Sequence, residues 1–161
     1  MTQVLVIVLA LLIGVVAGLR ALTPPAVVAW AAWLGWLPVD GTWAQWVGNP
    51  ITVGVLSVLL VVELVTDQLP KTPSRTVPPQ FIARLLTAAF AGAVIGAGTH
   101  HTILGIGAGM IGAVLGTLGG YQARSRLVAA NGGRDLPVAL AEDALAVLGG
   151  FAVVAVASTA F

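Results

Sequence analysis

Cysteine is absent from the 161 residues, which excludes disulfides, thiolate metal sites and cysteine nucleophiles and leaves the redox compartment unmarked. Charge is nearly as scarce. Charged side chains make up 8% of the chain, against about 25% in an average soluble domain. The formal net charge of +1 gives no basic footprint for nucleic acid. The two histidines, His100 and His101, are adjacent and lack the i, i+4 spacing that lets a helix present a metal pair. They read as polar turn residues, and no metal site is expected. Ser57, Ser74, Ser125 and Ser158 have no histidine at a matching depth, so the chain reads as a non-enzyme. Gly105-x-Gly107-x-Gly109 lies inside an apolar run with no strand before it. It is not a nucleotide loop, and no cofactor is expected.

What is abundant is apolar residues, at 58%, with a mean hydropathy of +1.03. They fall into six runs, 4–19, 25–39, 51–69, 81–98, 103–121 and 138–160. The expectation is an all-α, polytopic membrane protein folded as one helical domain over 1–161. Four runs approach the roughly 20 residues that cross a hydrocarbon core. The first is slightly short; it lacks the basic flank of a cleavable signal and reads as a span. The second, about 15 residues, reaches only about 22 Å. It is either a re-entrant half-helix or a span completed by less regular chain. Trp30, Trp33, Trp36, Trp43 and Trp46, gathered as an interfacial belt, favour its reaching the far side.

With six crossings, Arg20, Lys71, Arg75, Arg84, Arg124, Arg126 and Arg134 all fall on one side, together with every acid except Asp40. The positive-inside rule makes that side cytoplasmic. Loops 70–80 and 122–136 are then cytoplasmic and both termini outside. A re-entrant second run would move the N-terminus inside and leave Arg20 buried or facing a cavity. Three helix starts, at Thr23-Pro24-Pro25, Thr76-Val77-Pro78-Pro79 and Leu136-Pro137, use proline where its missing N–H is tolerated. All three lie on the basic side, to which their free N–H groups add partial positive charge.

Glycines 105, 109, 112, 116 and 119 alternate spacings of four and three, a seam that lets helix backbones approach closely. The fifth helix is therefore expected in the middle of the bundle or in a subunit contact. Ile13-Gly14-x-Val16-x-Gly18 resembles Ile111-Gly112-x-Val114-x-Gly116, a weak sign of internal duplication.

The candidate substrate- or ion-binding residues are Arg20, Thr23, Glu63, Asp67, Glu142 and Asp143. Glu63 and Asp67 share a helix face, and Glu142 enters the membrane to a similar depth from another span. Ionisable groups at that depth mark function by default, although structural ion pairs also live in bundles. Asp143 points about 100° from Glu142 around its helix. Arg20, the Thr23 hydroxyl and free N–H groups form a place to bind an anion or to tether Glu63 or Glu142. Arg84 is expected to snorkel to the headgroups, and Asp67 to form a surface pair with Lys71.

With these residues in view, the chain resembles the bacterial membrane-protein family of domain of unknown function 4126 over nearly its whole length. The resemblance rests on Gly18-Leu19-Arg20 before Pro24-Pro25, Glu63 late in a span ending at Pro70, and Pro79 opening the next. The glycine-rich fifth run and Pro137 with Glu142 complete it. It implies a similar length, a multi-spanning character and a place in a bacterial inner membrane, and it brings no activity or site residues. The 67–76 linker of this chain is polar, with its Lys-Thr-Pro-Ser-Arg run. Two functions follow: a small transporter or channel for an ion or small polar or anionic solute, or a non-transporting scaffold whose charges are structural. Expected partners are the lipid bilayer, further copies of the chain in a dimer or larger homo-oligomer, and a small solute or ion.

Overall fold

The computed structural model describes residues 1–67 and 74–160, and its described residues form six helices and no strand. They are α1 Gln3–Leu19, α2 Thr23–Trp33, α3 Pro50–Thr66, α4 Pro78–Ala97, α5 Thr102–Ala130 and α6 Asp135–Ser158, with a 3-10 turn at Gln45–Gly48. The last three are long and apolar enough to cross a membrane. α1 and α3, at 17 residues each, reach about 25 Å.

Prolines stand in the first turns of α2, α3 and α4, where their missing N–H breaks no intrahelical bond. α3 adds a side-chain cap, because the Asn49 carboxamide oxygen accepts from the Ile51 N–H at 2.9 Å. Asn49→Ala is expected to lower stability by about 1 kcal/mol, read as an earlier midpoint in chemical unfolding of the detergent-solubilised protein.

The second apolar run differs from its sequence boundaries. Its helix starts at Thr23 and stops at Trp33 after 11 residues, about 16 Å of rise. Gly35, at φ +73°, turns the chain out of the helix. The chain continues irregularly until the Pro38 carbonyl lies against Gly98, beyond the end of α4. Trp43 Nε1 then donates to Thr102 Oγ1 at 3.4 Å. The short helix thus needs a segment without α-helix to reach the end opposite Arg20, and Leu37, Val39 and Ala44 of that segment are buried, as is Val47 in the 3-10 turn. α5 also departs from its run, continuing helically for nine residues past Tyr121 to Ala130.

α1, α4 and α5 form a tightly packed trio, with α2 and α6 laid against it and α3 leaning on α2 and the 3-10 turn. Glycine sets the spacing of the trio. A Cβ added at Gly14 would lie 2.1 Å from the Gly109 carbonyl oxygen, and one at Gly112 would lie 2.0 Å from that of Leu11. The two similar glycine motifs therefore face each other on parallel helices, each meeting the turn that precedes its counterpart. On the other side of α5, Gly105 and Gly92 of antiparallel α4 stand in the same relation, since a Cβ added at either would lie 2.1 Å from the other's carbonyl oxygen. Gly119 has nothing within 4 Å and takes no part in the seam.

Candidate functional site

Six chain segments bring ionisable groups to one end of the bundle. Arg20 follows the last residue of α1, where the small face Ala10, Gly14 and Ala17 is buried against its neighbours. That packing carries Arg20 inward until its side chain is 1% exposed. Its Nη1 donates to Asp67 at 2.5 Å, and its Nε donates to Asp143 of α6. One guanidinium therefore ties the α1–α2 junction to the end of α3 and to the third turn of α6. Asp67 pairs with this buried arginine, which corrects its expected role as a surface residue; Lys71 and Pro70 lie outside the described residues.

Glu63 is buried one turn before Asp67 and receives two successive backbone donors, the Ala21 N–H at 2.7 Å and the Leu22 N–H at 2.8 Å. Of the two roles open to the Arg20–Thr23 segment, anion site and tether, the tether is occupied, and by Glu63. Thr23 opens α2 fully buried, and its hydroxyl has no hydrogen-bond partner among the described residues.

Glu142 stands apart from Arg20. Both of its oxygens are taken by Arg75, at 2.5 and 2.9 Å, and Arg124 adds a bond at 3.2 Å. Arg124 also grips Asp135 at 2.9 and 2.7 Å, closing the α5–α6 turn. The six candidates are thus divided between two clusters. Arg20, Thr23, Glu63, Asp67 and Asp143 meet at the α1–α2 junction, while Glu142 belongs to a rim of arginines.

Three arginines of the site, Arg75, Arg84 and Arg124, were not among the candidates. Arg84 is 3% exposed and does not snorkel. Its Nη1 donates to the Ala17 and Gly18 carbonyls at 3.4 Å each, placing positive charge on the C-terminal carbonyls of α1, where the helix dipole favours it. The signal was present in the sequence, because Arg84 shares a helical face with Ala88, Ala91 and Gly92, the residues α4 buries. Arg75 sits in the linker before α4, and no local pattern marks it. Among the described residues, no three His, Cys, Asp or Glu side chains gather as metal ligands. The histidines keep to the α4–α5 turn at the opposite end, His100 with a left-handed φ of 59°.

Long apolar helices, a backbone-close glycine seam and a buried ionic network at one end define a helical membrane domain. The model of the family Domain of unknown function (DUF4126) matches residues 7–161. The chain belongs to that family. No curated protein and no solved structure matches it.

Proposed function

We propose that the protein is a small transporter or channel for an ion or a small polar or anionic solute. In this reading it sits in a bacterial cytoplasmic membrane as a homodimer or larger assembly, both termini outside and the ionic network toward the cytoplasm. The observation that carries it is the half-length helix α2. It begins among buried charges, with Arg20, Glu63 and the Thr23 hydroxyl gathered at its first turn. Short helices whose ends meet charged groups at membrane depth are how carriers build solute and coupling-ion sites. The position of the acids along their helices fits this, with Asp143 about 12 Å in from the start of α6.

Reconstitution into proteoliposomes tests the reading. Wild-type protein is expected to give solute-evoked currents on a panel of inorganic ions and small organic anions. Asp67→Asn is expected to lose them while eluting as a monodisperse species with unchanged helix content. A second reading, the non-transporting scaffold, is favoured by Glu142, whose oxygens are both clamped by Arg75. Silent wild-type protein together with an Asp67→Asn variant that melts several degrees early would favour the scaffold.

A further inference from the structure

Arg84 is the one buried arginine among the described residues that bonds to no carboxylate. Arg20 holds Asp67 and Asp143, and Arg75 holds Glu142. Arg84, 3% exposed and about 9 Å in from the start of α4, has only the Ala17 and Gly18 carbonyls, each 3.4 Å from its Nη1. Its Nε has no partner among the described residues. The charged group that acts on it most strongly is Arg75, a second guanidinium; Glu63 and Asp67 follow. Both acids already accept from other donors, Glu63 from the Ala21 and Leu22 N–H groups and Asp67 from Arg20. The carbonyl end of α1 supplies only part of a charge. Most of the positive charge of Arg84 is therefore uncompensated by direct contact, which is costly at membrane depth.

A second unpartnered group lies beside it. Thr117 of α5 is fully buried, and its hydroxyl has no hydrogen-bond partner among the described residues. Both residues touch Gly18 of α1, Arg84 through the Gly18 carbonyl and Thr117 through its backbone nitrogen, 2.4 Å from where a Gly18 Cβ would stand. The register of α4 on α5 puts them at one level. Gly92 faces Gly105 and Ala88 faces Gly109, which sets Arg84 opposite Ala113. Helical side chains lean toward their own N-terminus, so the Arg84 guanidinium reaches one turn further, to Thr117. A guanidinium N–H and a hydroxyl are both donors that an anion accepts. Because α1 and α5 meet backbone to backbone at Gly18, the space beside them favours an anion of one atom over a polyatomic one.

We propose that Arg84 Nε and the Thr117 hydroxyl bind a monatomic halide at the end of α1, between α4 and α5. The halide stands to Arg84 as the carboxylates stand to Arg20 and Arg75. It accepts from both donors and neutralises the buried guanidinium that has no acid of its own. The proposal rests on the transport reading, which it deepens by naming the solute as a halide.

Equilibrium dialysis of the purified protein against radiolabelled chloride, with gluconate holding the ionic strength constant, tests the site. Wild type is expected to bind one chloride per chain saturably, to release it to bromide and to keep it against gluconate. Thr117→Val, which removes the hydroxyl and keeps the shape, is expected to weaken binding about tenfold or more, with a melting temperature in gluconate no lower than that of wild type. Arg84→Gln is expected to abolish binding. Thr87→Val, at a hydroxyl that bonds within α4, is expected to bind chloride as wild type does. The two threonine variants keep the test decisive if Arg84→Gln does not fold. Absence of saturable binding, or equal binding by wild type and Thr117→Val, would overturn the site. Proteoliposome currents carried by another solute, with no chloride bound in dialysis, would remove this proposal and leave the transport reading in place. Chloride bound in dialysis by a protein silent in proteoliposomes would keep the site and remove the transport reading.

Discussion

Replacing Arg20 with methionine is expected to lower the stability of the solubilised protein by about 3 to 5 kcal/mol, the scale set by removing one partner of a buried ion pair. The lost guanidinium strips its donors from Asp67 and Asp143 together, and neither carboxylate gains water in exchange, with side chains 15% and 11% exposed. The network also joins three parts of the chain far apart in sequence, so its loss loosens the α1–α2 junction, α3 and α6 together. Adding Asp67→Asn and Asp143→Asn to Arg20→Met removes the two carboxylates that lost the guanidinium and is expected to recover most of the loss. Equilibrium unfolding of the single and triple variants decides the matter. A triple variant no more stable than the single one would mean that Arg20 acts through packing and not through its charge.

The glycine seam carries the other large effect. Gly112→Ala adds one methyl group, which would stand 2.0 Å from the Leu11 carbonyl oxygen and 2.9 Å from the Val15 nitrogen. Both obstacles are backbone atoms, so no rotamer change relieves the clash and α1 must move off α5. The expected cost is about 3 kcal/mol, the upper end for overpacking. Gly107→Ala on the same helix is the control, since nothing lies within 4 Å of its added Cβ. There the gain in helix propensity, about 0.5 to 1 kcal/mol, is expected to stabilise the protein. Opposite signs for the two substitutions in one unfolding series would separate the packing term from the propensity term. A Gly112→Ala variant as stable as wild type would show that the α1–α5 contact is looser than drawn.

Much of the bundle was legible in the residues because its signals are local. Membrane helices announce themselves through runs of apolar side chains, so six runs gave six helices, and proline opened helices where it stands near a start. The second run misled because hydropathy measures burial and not helicity. Residues 34–39 are apolar, with Leu37 and Val39 buried, yet not helical, since the Pro38 region packs irregularly against Gly98. The end of α5 was missed for the converse reason, as its last turns carry Arg124, Ser125 and Arg126, polar residues that hydropathy scores as loop although their helix propensity is adequate.

The candidate site was legible only as a list. Ionisable residues within or beside apolar runs are costly wherever the helices end up, and that cost depends on sequence position alone, so Arg20, Glu63, Asp67, Glu142 and Asp143 could be named without coordinates. Which acid meets which arginine could not, because partners 47 and 123 residues apart are matched by how each helix is rotated about its axis and how deeply it sits. The glycine contacts of α1, α4 and α5 set those rotations. They turn Arg84 inward onto the carbonyls of α1 and hold Glu142 at the rim with Arg75 and Arg124. The packing of α3 on α2 brings Glu63 to the Ala21–Leu22 bend before α2. The sequence by itself determined the membrane class, the apolar runs and the end of the bundle at which charge collects, since each follows from the water-to-lipid cost of individual residues. Only the tertiary structure decided the pairing, because pairing depends on distances between helices that no single run contains.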